Sequence, residues 1–398
     1  MLQEVKKAQK RLDGVIKKTP FSLAKNLSAL TEAKVYLKKE NLQETGSFKL
    51  RGAFNKVATL YEQGVKGVIA ASAGNHAQGV AFSAQHFNIK ATIVMPQATP
   101  LTKINGVQAY GADVVLHGNN FDEAYAKSQE IAKQKGYCFV HPFADETVIA
   151  GQGTLALEIL QEVPSLDVLI VPVGGGGLIS GVAKAAKQIN PNIKVYGVAA
   201  SGAPAMSRSF KAKKAIDTLS VKTIADGIAV RDTSQVTLEH ILDAVDDIVL
   251  VDDEEIANAI LFLLEKQKLV VEGAGASGVA AILHEKLALK GKKVATILSG
   301  GNIDVTMLSV IIEKGLLKSY RKMKLIVTLI DRPGSLMLLT EIFSSVGANI
   351  VQIGYDRTST DLKYGDAYVS ISLETKGQKH QEQIAQKLHE NGFEFKVE

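Results

Sequence analysis

The sequence alternates short β-rich segments with longer segments of helical spacing, and this alternation restricts the fold more than any other feature. Short apolar segments such as GVIAAS and ATIVMP are each followed by a segment with helical spacing. Strands that alternate with helices form parallel sheets covered on both faces, so the pattern predicts an α/β fold. Repeats before residue 140 and a new start near residue 165 favour two parallel-sheet subdomains over one sheet.

The C-terminal part of the chain follows a different pattern. Strand-like MKLIVTLI and the turn DRPGS precede a helical segment, and two strands, a second helix and a last strand follow. This β-α-β-β-α-β order is the ferredoxin-like arrangement. A chain of 398 residues also exceeds what one core usually supports. We therefore expect a first domain over residues 1–320, with a smaller subdomain inserted over about 53–145, and a second domain over 321–398.

Composition excludes several classes of protein. The net charge of +5 is spread along the chain without a block of like charges, so a nucleic-acid-binding tail is not expected. The longest apolar segments have about ten residues, too few to span a membrane. Cys138 is the only cysteine, so no intrachain disulfide can form. These features predict a cytoplasmic protein that acts on a small molecule.

One lysine stands in a context suited to covalent chemistry. Lys49 lies in ETGSFKLRGA, where Gly46 permits a tight turn, Ser47 can cap a helix and Phe48 offers an apolar ring. A lysine buried beside an aromatic ring loses its charge easily, which suits an amine that forms a Schiff base. The alternative is an ordinary solvated lysine on a helix.

Two glycine-containing segments are candidate anion sites. In ASAGNHAQG, the small side chains of Ala73 and Gly74 leave helix-start N–H groups open to a carboxylate; a turn capped by Ser72 or Asn75 is the alternative. In VGGGGLISG, four glycines between a strand and a helix favour a phosphate. The next strand, KVYGVAA, ends without the acid of a dinucleotide site, and a nucleotide-binding lysine is absent, so a lone phosphate is expected.

A fourth segment, ILSGGNID, offers the hydroxyl of Ser299 at a strand end. A reactive lysine, a carboxylate site, a phosphate site and a polar strand end are together what pyridoxal 5'-phosphate (PLP) chemistry requires. Neither HExxH nor CxxC occurs, so no metal site is expected.

Four of these motifs together resemble those of a known family. GSFKLRGA, SAGNHAQGVA, VGGGGLISG and SGGN occur in this order, as in fold-type II (tryptophan synthase β-like) PLP enzymes and, within them, the threonine dehydratases. The segment DRPGSLMLLTEIFSSVGANI resembles an ACT domain, a regulatory module that binds amino acids.

The resemblance implies a role for each motif. Lys49 would bind PLP covalently and act as the catalytic base, with Phe48 and Gly227 on the two faces of the ring. Asn75 would contact the ring oxygen and Ser299 the ring nitrogen. The implied cofactor residues are Phe48, Lys49, Asn75, Gly174, Gly175, Gly176, Gly177, Leu178, Gly227 and Ser299. The implied carboxylate residues are Ser72, Ala73, Gly74, Asn75 and His76.

The implied reaction is α,β-elimination of L-threonine to 2-oxobutanoate and ammonia, with L-serine as a slower substrate. Serine racemases of this fold carry a serine where Ala73 stands, and acids are absent from residues 199–205, where their cation ligands lie. Both differences favour a dehydratase. An L-serine ammonia-lyase and a PLP-free amino-acid sensor remain alternatives.

The ACT resemblance implies an amino-acid effector site and a homodimer or homotetramer. Gly334, at a helix start, and Asn349 and Ile350, at a strand start, would line the effector groove. An allosteric enzyme of isoleucine biosynthesis would be inhibited by isoleucine, whereas a degradative enzyme would not. The sequence leaves these two roles open.

Overall fold

The computed structural model describes residues 1–398, which divide into two compact units, Met1–Ile303 and Asp304–Glu398. The helices are α1 Leu2–Leu12, α2 Lys25–Thr31, α3 Lys49–Glu62, α4 Asn75–His86, α5 Leu101–Gln108, α6 Phe121–Lys135, α7 Glu146–Glu162, α8 Gly177–Ile189, α9 Ala205–Ala212, α10 Gln235–Ala244, α11 Asp253–Phe262, α12 Gly273–Leu283, α13 Val305–Lys318, α14 Ser335–Ser345 and α15 Gln378–Glu390. The strands are β1 Phe21–Leu23, β2 Lys34–Lys38, β3 Gly67–Ala71, β4 Lys90–Met95, β5 Asp113–Leu116, β6 Cys138–Phe139, β7 Val168–Pro172, β8 Lys194–Ala200, β9 Asp247–Val251, β10 Lys293–Ile297, β11 Lys322–Ile330, β12 Asn349–Asp356, β13 Asp366–Glu374 and β14 Glu394–Val397. None of these helices has the length and hydropathy that a membrane span requires.

A six-stranded sheet with the order β1-β2-β10-β7-β8-β9 organises the larger part of the first unit. Its neighbouring strands run parallel, except for the antiparallel pair β1 and β2. Every residue of β7 is buried, as expected for a strand between two layers of helices. Apolar side chains of α7 and α8 pack against this sheet to form the largest core of the molecule.

A second, four-stranded parallel sheet with the order β5-β4-β3-β6 lies in the same unit. It extends from Gly67 to Phe139, and separate apolar clusters cover it. The prediction of two parallel sheets is therefore confirmed.

The sheet topology brings the glycine-rich motifs to strand ends. The ASAGN segment follows β3, the glycine run follows β7, and Ser299 follows β10. Strands β7 and β10 are parallel neighbours, with Thr296 aligned with Ile170. The glycine run and Ser299 consequently lie at the same edge of the large sheet, where α/β folds bind their ligands.

The second unit contains an antiparallel sheet with the order β12-β13-β11-β14. Together with α14 and α15 it forms the predicted β-α-β-β-α-β arrangement, and one apolar cluster fills the space between sheet and helices. Helix α13 also belongs to this unit, whose boundary at Asp304 lies before the one that the sequence predicts at 320. Glu313 on α13 forms a 2.6 Å ion pair with Lys322 on β11.

Candidate active site

Lys49 is the first residue of α3, where its amine is held close to other parts of the protein. Its Nζ donates a hydrogen bond to the carbonyl oxygen of Pro142 at 2.9 Å and lies 5.4 Å from the centroid of the Phe48 ring. The residue is half-buried. Desolvation lowers the pKa of its amine to about 8, although the nearby carboxylate of Glu272 partly opposes this shift. Near neutral pH a useful fraction of the amine is uncharged and can act as a nucleophile or base.

The capping role predicted for Ser47 is wrong. Phe48 is the N-cap residue of α3, and no side chain caps this helix. The Ser47 hydroxyl is instead buried without a hydrogen-bond partner, and the backbone of Ser47 forms an isolated antiparallel bridge with Gly300.

A loop from the small sheet supplies the acceptor for the lysine. His141 Nδ1 accepts hydrogen bonds from the N–H groups of Phe143 at 3.2 Å and Ala144 at 2.8 Å, which fixes the loop that carries Pro142. Burial, followed by the charge of Lys49, lowers the pKa of His141 to about 4. The imidazole is therefore neutral and can accept these two bonds at physiological pH.

Glu272 is a site residue that the sequence reasoning missed. It precedes α12, and its carboxylate accepts a 2.8 Å hydrogen bond from Asn75 Nδ2. Burial raises the pKa of this carboxyl, and the bond from Asn75 partly offsets the rise. The one available signal was an acid standing directly before the glycine-rich segment GAGASG.

Asn75, predicted to contact a cofactor oxygen, is oriented by two neighbours. One N–H of its amide goes to Glu272, and its Oδ1 accepts a 2.7 Å bond from Asn302. A side-chain amide has two N–H groups, so a second remains for a ligand.

The start of α4 has the features of an anion site. Gly74 is its N-cap residue and no side chain caps the helix, while the Ser72 hydroxyl accepts from the Gly74 N–H at 3.2 Å. Ala73 packs against the core of the small sheet. The N–H groups of the first turn are therefore left for a ligand.

The side chain of His76 is unsuited to binding an anion. Its Nε2 lies 2.8 Å from the carbonyl oxygen of Val140, so this nitrogen carries the proton and Nδ1 carries a lone pair. Burial, followed by the charge of Lys49, lowers its pKa to about 3. At neutral pH the imidazole is uncharged, and His76 can contribute to a carboxylate site only through its backbone N–H.

The glycine run opens α8 without a side-chain cap, and Gly176 adopts a φ of +88° as its N-cap residue. Packing also requires glycine here. A Cβ at Gly175 would lie 2.5 Å from the Phe143 ring, and one at Gly177 would lie 2.8 Å from the Phe143 backbone. A Cβ at Gly174 would lie 2.8 Å from Ile228. Close packing therefore explains three of the glycines, and the uncapped N–H groups favour an anion in addition.

Contacts link the separate motifs into one site. Residues 142 and 143 connect Lys49 with the glycine run, as described above. The carbonyl oxygen of Ser299 accepts a 3.0 Å bond from Phe48 N–H. A Cβ at Gly227 would lie 3.1 Å from the Glu272 carboxylate. Ser299 is buried, Gly227 is exposed and Leu178 lies buried in the first turn of α8.

The three predicted effector residues do not lie together within one chain, because Gly334 is far from Asn349 and Ile350. Asn349 is aligned with Glu374, which is aligned with Lys322 at one end of β11. Gly334 follows the other end of this nine-residue strand, roughly 25 Å away at about 3.3 Å per residue. Asn349 donates a 2.9 Å bond to Glu374, while Ile350 packs against the core.

Comparison with known proteins defines the family. The model of a family described as "Pyridoxal-phosphate dependent enzyme" matches residues 12–300, more than half of the chain. The chain belongs to this family. The enzyme is therefore PLP dependent, and the predicted cofactor is confirmed.

Known relatives are similar to the enzyme over most or all of its length. An L-threonine ammonia-lyase of Thermotoga maritima is 50% identical over 397 residues, covering 100% of this chain and 99% of the relative. A threonine deaminase structure from Solanum lycopersicum is 39% identical with a TM-score of 0.76, covering 79% of the enzyme and 88% of that chain. A maize serine racemase structure is 36% identical with a TM-score of 0.75, covering 80% and 98%. These similarities confirm the fold-type II prediction.

The enzyme's own geometry fits PLP. The cofactor needs an amine that can lose its proton and a group of N–H donors for its phosphate. Lys49, with a pKa of about 8, and the uncapped start of α8 supply both, on the two sides of the Pro142–Phe143 segment.

Proposed function

We propose that the enzyme is an L-threonine ammonia-lyase that converts L-threonine into 2-oxobutanoate and ammonia. The observation that supports this most strongly is the 50% identity, along the whole chain, to the protein named L-threonine ammonia-lyase in Thermotoga maritima. The half-buried, partly neutral amine of Lys49 and the uncapped starts of α4 and α8 agree with this chemistry.

Each motif has one task in this proposal. Bound PLP supplies the electron sink that makes the Cα proton of an amino acid acidic enough to remove. The Lys49 amine takes this proton, because its lowered pKa of about 8 leaves a fraction of it uncharged and basic near neutral pH. The N–H groups at the start of α4, including that of His76, hold the substrate carboxylate. The N–H groups from Gly174 to Leu178 hold the cofactor phosphate.

The remaining side chains orient the ring. We assign the second N–H of Asn75 to the ring oxygen and the hydroxyl of Ser299 to the ring nitrogen, with Phe48 and Gly227 on the two faces. A neutral hydroxyl at the nitrogen leaves the ring a weaker electron sink than a carboxylate would. Loss of the Cα proton and the β-hydroxyl as water gives an enamine. Hydrolysis of the enamine consumes one water and yields the 2-oxo acid and ammonia.

Racemisation is the disfavoured outcome at this site. A racemase needs an acid on the second face of Cα, and the methyl group of Ala73 cannot supply a proton. Chiral analysis of residual serine tests this: formation of D-serine at a rate close to that of pyruvate would contradict the assignment.

Steady-state kinetics with threonine and serine test the proposed substrate. We expect a higher kcat/KM for threonine, by roughly 10-fold, because one additional methyl group is worth about 1–3 kcal/mol in an apolar pocket. A higher kcat/KM for serine would make the enzyme an L-serine ammonia-lyase. No turnover of either amino acid by the PLP-loaded enzyme would overturn the proposal.

The second unit is proposed to bind an amino-acid effector between two copies of the chain. Gly334 is the N-cap residue of α14, and a Cβ at this position would have no atom within 4 Å. No side chain caps the N–H groups in the first turn of α14. Because Asn349 lies at the opposite end of the sheet, a groove that contains both must combine two subunits in a homo-oligomer. This arrangement would couple effector binding to subunit contacts.

A further inference from the structure

A cluster of four buried charged side chains lies beside the first turn of α3. It consists of Lys38 at the end of β2, Glu40 just after it, Arg51 on α3 and Glu158 on α7, and we call it the Arg51 cluster. Lys38, Glu40 and Arg51 are 0% exposed and Glu158 is 9% exposed. None of these residues has a part in the chemistry proposed above.

Arg51 uses every hydrogen-bond donor that it has. Its Nε and Nη2 donate to the Glu40 carboxylate at 2.8 and 2.9 Å, and its Nη1 and Nη2 donate to Glu158 at 2.6 and 3.1 Å. The remaining N–H of Nη1 donates to the hydroxyl of Thr154 at 3.1 Å. A guanidinium has five N–H groups in a rigid plane, so these acceptors fix both its position and its orientation.

The rest of the cluster completes the bonding of the two carboxylates. The Thr19 hydroxyl donates to Glu40, and the Lys38 ammonium donates to Glu158 and to the Thr19 carbonyl oxygen. Two cations balance two anions. Burial alone would lower the pKa of Arg51, but the charges of Glu40 and Glu158 hold it above its ordinary value.

The cluster lies on the opposite side of the helix from the reactive amine. Arg51 follows Lys49 by two residues, which is about 200° around the axis of an α-helix. Helix α7 meets α3 closely behind this turn: a Cβ at Gly151 would lie 2.6 Å from the Arg51 carbonyl oxygen. The Gly52 N–H also donates a 3.1 Å bond to the Gln152 side chain on α7.

Stability alone is a poor explanation for such a cluster. Well-packed apolar side chains in place of a buried ion pair often give equal or greater stability, because two charges need not be desolvated. What a bidentate, fully bonded arginine supplies is a fixed orientation for the element that carries it.

We propose that Arg51 is a positioning residue for Lys49. By locking the first turn of α3 against β2, Glu40 and α7, it keeps the lysine amine in place both when it is bound to the cofactor and when it is free to move a proton. This inference builds on the function proposed above, and it concerns geometry rather than charge at the site.

The variant Arg51→Lys tests this, because it keeps the charge and loses the planar fork. We expect kcat for threonine to fall roughly 10- to 100-fold, as for a reacting group displaced by about 1 Å, with KM changed much less. The rate at which PLP recombines with apoenzyme, followed by its visible absorbance, should fall by a similar factor. Recombination does not depend on which amino acid is the substrate, so it tests Arg51 even if threonine turnover fails in the wild type.

Lys56→Met is the matched control. Lys56 also links α3 to the N-cap residue of α7, through a 2.7 Å ion pair with Asp145, but lies seven residues beyond Lys49. We expect it to lower the melting temperature while leaving kcat and the recombination rate at wild-type values. If Arg51→Lys loses stability but keeps both rates at a temperature where it is folded, the cluster is structural and the proposal is wrong.

A milder variant covers the case in which Arg51→Lys does not fold. Thr154→Val removes one of the acceptors of Arg51 with little change of shape. It should lower the recombination rate a few-fold, and ordinary recombination in the folded variant would contradict the positioning role.

Discussion

Lys49 and Arg51 are two cations on the first turn of one helix, and their surroundings have opposite effects. Desolvation lowers the pKa of Lys49 to about 8, because Glu272 is the only charge that opposes it appreciably. Arg51 is more deeply buried, yet its pKa is raised, because Glu40 and Glu158 both hydrogen-bond to it. Two residues apart on the same helix, Lys49 therefore loses its proton more easily than an ordinary lysine, whereas Arg51 keeps its proton more firmly than an ordinary arginine.

The difference shows that burial alone does not create a reactive amine. Burial disfavours the charged form, and carboxylates in direct contact restore it. Lys49 donates to a neutral carbonyl oxygen instead of a carboxylate, so its proton is easily lost. A reactive lysine in such a fold requires both an enclosed position and incomplete pairing.

The largest expected effect follows from removing the incompletely paired cation. Lys49→Ala should fold, lose the visible absorbance of bound PLP and lose threonine turnover by at least roughly 1,000-fold, because the covalent and base roles share one amine. Absorbance spectra and steady-state rates measure both. Wild-type turnover without added amines would remove Lys49 from the mechanism.

Removing Arg51, the fully paired cation, should lower the free energy of unfolding more than it lowers the rate of any chemical step. Arg51→Met leaves two buried carboxylates with too little positive charge, at a cost of about 3–5 kcal/mol in the free energy of unfolding. Urea unfolding of holoenzyme and variant measures it. The double variant Arg51→Met/Glu40→Gln should recover part of this loss, and no recovery would show that the charges are not the cause.

A smaller effect is expected from the one carboxylate that opposes the shift at Lys49. In wild-type apoenzyme, the rate of PLP recombination should rise with pH with a midpoint near 8, as the amine loses its proton. Glu272→Gln removes a negative charge that favours the protonated amine, so this midpoint should move to lower pH by roughly one unit. A midpoint that stays in place or moves upward would show that Glu272 does not act on the amine.

The smallest effect on basal turnover is expected from removal of the second unit, which contains neither cation. A chain that ends at Ile303 should retain PLP binding and threonine turnover within a few-fold of the full chain, and should lose any response to isoleucine or valine. Turnover of both proteins with each amino acid present measures this. A full-length enzyme that is insensitive to all common amino acids would leave the second unit with a purely structural role.

The sequence predicted local features well and long-range partners poorly. The period of apolar residues placed both parallel sheets and the β-α-β-β-α-β unit, because strand and helix spacing are local properties. Glu272 and Glu158 were missed, since their partners lie 197 residues away at Asn75 and 107 residues away at Arg51. An acid between the apolar pairs Ala156–Leu157 and Ile159–Leu160 was the signal for Glu158. The burial of Ser47 and its bridge to Gly300, 253 residues away, are long-range features that no local pattern shows.

The most direct test of the account identifies the lysine that carries PLP. Reducing the PLP-loaded enzyme with borohydride fixes the cofactor to its amine, and mass spectrometry of the digested protein locates the modified residue. We predict a single modified peptide with the label on Lys49, and none on the buried, carboxylate-paired Lys38. A label on Lys38 or on any other lysine, with Lys49 unmodified, would contradict the assignment of the reactive amine.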